Sequence, residues 1–91
     1  MITNRDQALI AKNFNVITIT EDYIEFSSPS TNHYWIIKKV HNPHKPIMIY
    51  HKHSIDTPFY HKHYQTSTVR SAVFQIQKHD EYVINTLIQQ C

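Results

Sequence analysis

Glycine is absent from all 91 residues, and that absence shapes every turn the chain can make. A reversal that needs positive φ has to be built on Asn, Asp or His, which reach the left-handed region at some cost. The same absence removes the glycine-rich phosphate loops and dinucleotide fingerprints by which many enzymes hold nucleotides. What remains is a chain of one domain, residues 1–91, large enough for a single modest core. Its apolar fraction of 41% suits a folded protein. No apolar run approaches the ~18 residues of a membrane span. Met1-Ile2-Thr3-Asn4-Arg5-Asp6 also lacks the basic-then-apolar order of a signal peptide. The lone Cys91 rules out an internal disulfide and fits a reducing, cytoplasmic setting with no membrane partner.

The second organising feature is a repeat. Tyr50-His51-Lys52-His53 returns ten residues later as Tyr60-His61-Lys62-His63, and the two copies hold half of the eight histidines. Before the repeat the pattern is that of a sheet; after it, that of a helix.

In order, Thr3 and Asp6 form a capping-box signature that opens a short helix over Asn4 to Lys12, with Asn13 placed to end it in the left-handed conformation. Residues 14–20 and 23–27 are rich in β-branched and aromatic residues and predict a hairpin around Glu21-Asp22. Ser28-Pro29-Ser30-Thr31-Asn32 is a connection. Residues 33–40 read as a central strand, apolar on both faces in the middle. A two-proline turn leads to its partner over residues 47–53, in which alternation puts Ile47, Ile49, His51 and His53 on one face and Met48, Tyr50 and Lys52 on the other. Residues 54–65 are expected to be loop. From Thr66 the apolar residues Val69, Ala72, Val73, Ile76, Val83, Ile84, Leu87 and Ile88 recur at helical spacing. Thr66 or Ser67 is the expected N-cap, and His79-Asp80 marks a kink or break. The expected fold class is α+β, ordered α-β-β-β-β-α. An antiparallel sheet of three to four strands would carry a short N-terminal helix and a long C-terminal helix on one face.

Charge is unevenly spread. The net charge is only +2, yet residues 33–64 hold five lysines against one acid, Asp56, and seven of the eight histidines. Histidines of ordinary pKa would add to that excess below about pH 6.5. Such asymmetry points to an anionic partner.

Three chemistries are open to these residues. The first is a binding face in which Tyr34, Lys38, Lys39, Lys45, Tyr50, His51, Lys52, His53, Tyr60, His61, Lys62, His63 and Tyr64 engage nucleic acid or an acidic, nucleic-acid-handling host protein. Flat rings stack on bases and lysines meet phosphates, and the same residue types anchor protein interfaces. The second is a metal site. Rings two apart on a strand share a face, so His51/His53 and His61/His63, with Asp56 as an oxygen donor, could hold zinc or another divalent transition metal. The third is a histidine acid or base, although no Ser-His-Asp order stands out and Cys91 sits at a terminus.

At Ser30-Thr31-Asn32-His33-Tyr34 and Thr68-Val69-Arg70-Ser71 the order of elements resembles the HicA-type mRNA interferase toxins. That resemblance implies a double-stranded-RNA-binding-like α-β-β-β-α fold and a ribonuclease with His33 as its catalytic residue. In style the chain is also similar to the small phage and mobile-element proteins of AT-rich Gram-positive bacteria. That likeness implies a non-enzymatic inhibitor of host machinery, such as an anti-CRISPR or other anti-defence protein. The leading expectation is accordingly a binding protein, with the ribonuclease and the metal site as alternatives.

Overall fold

A computed structural model describes residues 2–89, so the expectation attached to Cys91 lies outside the described residues. The element order is α1 (Asn4–Asn13), β1 (Asn15–Ile19), β2 (Tyr23–Ser27), β3 (Tyr34–Lys39), β4 (Ile47–Lys52), β5 (His61–Thr66) and α2 (Val69–Gln89). The strands form one antiparallel meander in the order β1-β2-β3-β4-β5. The α+β class stands, with one strand more than expected. Among the described residues, no helix is long and apolar enough to cross a membrane.

Alternation along the strands decides which side is covered. Ile24 and Phe26 of β2, Trp35 and Ile37 of β3, and Ile47 and Ile49 of β4 are buried. They meet Ile10 of α1 and Val69, Ala72, Val73 and Ile76 of α2 in one apolar cluster. Both helices therefore lie on the same side of the sheet. The intervening residues, Tyr34, Ile36, Met48, Tyr50 and Lys52, are half-buried and occupy the side with no helix.

The fifth strand falls within the expected loop. His61-Lys62-His63-Tyr64-Gln65-Thr66 has no Val or Ile to signal a strand. It forms because β4 offers an unpaired edge, along which it pairs from Ile47↔Thr66 to His51↔His61. The pairing contains a bulge with a consequence for the histidines. Thr66 is buried opposite Ile47, so strict alternation back along β5 would turn His61 and His63 away from the helices. Instead Ile49 pairs with Tyr64 while the next residue, Tyr50, pairs with Lys62. The extra residue reverses the phase. Lys62 then falls on the helix-free side, and His61 lies beside His51.

Three local expectations are corrected. Asn13 is the last helical residue, not a left-handed cap; the chain leaves through Phe14 in extended conformation (φ −139°). Positive φ occurs among the described residues at Asn32 (φ 59°), where a glycine would otherwise be favoured. The α2 cap is Thr68, whose Oγ1 accepts from the Ser71 N–H at 3.0 Å; Thr66 ends β5 and donates its hydroxyl to Ser71 Oγ at 2.7 Å. Nor does α2 break at His79-Asp80: it runs unbroken for 21 residues. Its first half is core, whereas Tyr82 and Leu87 in the second half are largely exposed. The Thr3 cap does form, its Oγ1 accepting from the Asp6 N–H at 3.1 Å.

These assignments predict that Thr68→Ala lowers the unfolding free energy in urea by about 1 kcal/mol, while Ser67→Ala changes it little. Equal losses at the two positions would contradict the cap assignment.

Candidate metal centre

Where the apolar core ends, histidines take over. On the helix side of β4, Ile47 and Ile49 give way to His51, which is 1% exposed. Its ring stacks on Trp35, with centroids 4.1 Å apart and planes 27° from parallel. Trp35 is fixed in turn by its indole N–H, which donates to the buried Ser28 hydroxyl at 3.0 Å. The stack gives the cluster a rigid apolar floor.

Five further rings gather around His51. His33, two residues before Trp35 and so on the same side of the chain, places Nδ1 2.9 Å from His51 Nε2. One of the two nitrogens carries the shared proton. His53 follows on the same side of β4, its ring 4.8 Å from His51 and 4.9 Å from His33. The bulged β5 brings His61 and His63 each to 5.3 Å from His51. From the opposite layer His79 of α2 comes within 4.8 Å of His51 and 5.2 Å of His63. Six of the eight histidines thus meet, contributed by the β2–β3 connection, the end of β4, β5 and the middle of α2.

Among the described residues, two subsets are close enough to share an ion. The ligand atoms of His33, His51 and His79 lie within 4.8 Å of one another, and so do those of His51, His61 and His63. His51 belongs to both. The Nδ1 of His79 is buried and has no hydrogen-bond partner among the described residues, an uncommon condition for a polar atom in a native interior. Asp80 stands behind the first set. It is buried, its Oδ1 accepts from the Thr31 hydroxyl at 3.1 Å, and the Thr31 Oγ1 accepts from the backbone N–H of His33 at 3.2 Å.

The electrostatics favour the neutral form of four of these rings, His33, His51, His63 and His79. Burial is the main cause, with repulsion from the other rings second. Together they push His51 from 6.5 down to about 3. His33, His63 and His79 are also lowered, again chiefly by burial; the Asp80 charge partly offsets this for His33 and His79. The expectation that these rings would add positive charge near pH 6 is therefore corrected for His51 and His63. Neutral imidazole is also the form that binds metal.

The remaining expected site residues separate by side. Tyr34, Lys38, Tyr50, Lys52, Tyr60 and Lys62 lie on the helix-free side. Alternation and the bulge leave Lys39 and Tyr64 on the helix side, at exposed positions. Lys45 is in the β3–β4 turn, where its carbonyl accepts from Gln65 Nε2 at 2.8 Å. Asp56 is exposed in the turn after β4 and belongs to neither ligand set; the carboxylate near the cluster is Asp80. His33, the catalytic residue only in the alternative that the toxin resemblance implies, is a buried member of the cluster. His79 was not anticipated as a ligand, although the sequence carries a signal for it. It lies three residues after Ile76 and four before Val83, a histidine set into the apolar stripe of a helix.

No family model, curated protein or solved structure matches this chain.

The sign of the pH effect follows from the lowered values. An unfolded chain takes up protons at these histidines near 6.5, whereas the folded chain resists until lower pH. The stability tied to the neutral rings is complete above about 6.5 and is lost as pH falls. In chelator, the melting temperature should drop from pH 7.5 to pH 5, and His51→Phe, which keeps a ring on Trp35, should shrink that drop. A melting temperature that does not fall over this window in the parent protein would contradict the lowered values at His33, His51, His63 and His79.

Proposed function

We propose that the protein binds a divalent transition-metal ion, zinc or its neighbours nickel and copper, through the histidine cluster. The observation that carries this reading is the gathering of five imidazoles from four parts of the chain around the buried His51, with His33 and His79 close enough to share an ion with it. The chemistry of the donors supports the same metals. Imidazole-only sites favour borderline ions and offer nothing to calcium or magnesium, which take oxygen ligands.

His33, His51 and His79 are the core ligand set. Zinc holds nitrogens at about 2.0–2.1 Å in a tetrahedron, which sets them roughly 3.4 Å apart. The observed spread is within 4.8 Å, so the three rings would draw closer together around an ion. Three imidazoles leave a fourth position, and His53 is the nearest further ring to both His33 and His51. A shallow groove of about 250 Å³, lined by His33, His53, Tyr82, Val83, Thr86 and Leu87, opens beside that position. The ion would join β4 to α2 and so act as a clamp between the two layers of the fold.

An ion that binds only the folded chain stabilises it by about 2.7 kcal/mol at a hundred times its Kd. Zinc should therefore raise the melting temperature of untagged protein, bind stoichiometrically in calorimetry and be removed by chelator, while magnesium and calcium have no effect. His51→Ala with His79→Ala should abolish binding, and His41→Ala with His44→Ala, outside the cluster, should leave it intact. Absence of zinc binding by the folded parent protein, or binding lost only with His41 and His44, would overturn the proposal.

A further inference from the structure

The repeat that supplies the cluster also supplies the opposite side of the sheet. We propose that this helix-free side is a binding platform for single-stranded nucleic acid, with tyrosine rings that stack on bases and lysines that meet phosphates. In each Tyr-His-Lys-His copy, alternation sends the histidines toward the helices and the lysine away from them. Lys52 and Lys62 accordingly flank Tyr50, Lys62 directly opposite it in the register. Lys38 faces Met48 on one neighbouring strand and Tyr23 on the other.

The rings are grouped. Tyr23, Tyr50 and Tyr60 surround Ile36 and Lys38 in an open groove of about 380 Å³, within the size range of small-ligand sites. Tyr34 lies at its other end, where Lys52 Nζ sits 5.4 Å from the Tyr34 ring centre and 4.8 Å from that of Tyr60. That ammonium is held between two rings and is positioned for an anion. The one acid among these residues, Glu25, is already engaged: its Oε2 accepts from the Tyr60 hydroxyl at 2.8 Å and its Oε1 from the Thr18 hydroxyl at 3.2 Å. The Tyr60 phenol, pushed up by burial and by Glu25, keeps its proton.

The case for a nucleic acid over an acidic protein is the alternation itself. Phosphates and bases alternate along a single strand, as lysines and flat rings do across this surface. Stacking would be tolerant of sequence, because every base has a π-face. Duplexes conceal their bases within the stack and should bind more weakly. The platform is independent of the metal centre, since the two lie on opposite sides of the sheet.

The test is fluorescence anisotropy with labelled single-stranded RNA and DNA oligonucleotides, with the matching duplex, and with poly-glutamate as an acidic polypeptide. Each is measured across a salt series, with zinc and with chelator. Single strands should bind more tightly than duplex or poly-glutamate. Affinity should fall with salt at a log–log slope of about −2, as three phosphate contacts require. The Lys38→Ala, Lys52→Ala and Lys62→Ala triple variant should lose most of that slope. Tyr50→Leu, which keeps an apolar side chain on the sheet, should weaken binding by about 5- to 150-fold, with its melting temperature recorded to show that it folds. No binding to single strands, equal or tighter binding to poly-glutamate or duplex, or an unchanged salt slope in the lysine variant would overturn the platform.

Discussion

His51 lies against Trp35 at the point where the apolar layer between sheet and helices runs out. The stack at 4.1 Å, the tie from Trp35 to Ser28, and the 2.9 Å approach of His33 fix one imidazole in a buried position. Everything else in the cluster is placed relative to that ring. His53 follows it by the pleat, His61 pairs with it across strands, and His79 descends on it from α2. A core that ended in Leu or Val would bury as much surface and need no partner. Ending it in imidazoles costs desolvation of the inner rings, and burial accordingly lowers the pKa of His33, His51, His63 and His79.

The same pleat gives the repeated motif two roles. Within Tyr-His-Lys-His the period of two separates histidine from lysine, so one short segment contributes to both sides of the sheet. The bulge at β5 is the device that makes the second copy agree with the first. Without it, His61 and His63 would face solvent on the tyrosine side, and Lys62 would be turned toward Trp35. An inserted residue in an edge strand is a small irregularity, yet it sets which chemistry appears on which side.

Much of this was legible in the chain. The β-branched alternation of residues 14–27 gave the first hairpin, the Thr3 cap placed α1, and the stripe from Val69 to Ile76 placed the core side of α2. With no glycine available, a positive φ was expected on Asn, Asp or His, and Asn32 bears it. β5 escaped detection because its strand character comes from the edge it joins and not from its own residues. Lys39 and Tyr64 share one expected binding face with Lys38 and Tyr50 because charge and ring type carry no information on which way a pleat turns. The ligand set was half legible. His51, His53, His61 and His63 stood out by spacing, whereas His33 and His79 join them only through contacts across the sheet and between layers. The lowered pKa values were hidden for the same reason, since burial is a property of the fold.

The most direct test of the metal centre is anomalous diffraction at the zinc absorption edge, from crystals of the untagged protein grown with zinc. The expected result is a peak bonded to His51 and to at least two more of the clustered rings, with His33 and His79 first among them. Zinc found only at His41, His44 or other surface sites, with the cluster still held by the His33–His51 hydrogen bond, would contradict it.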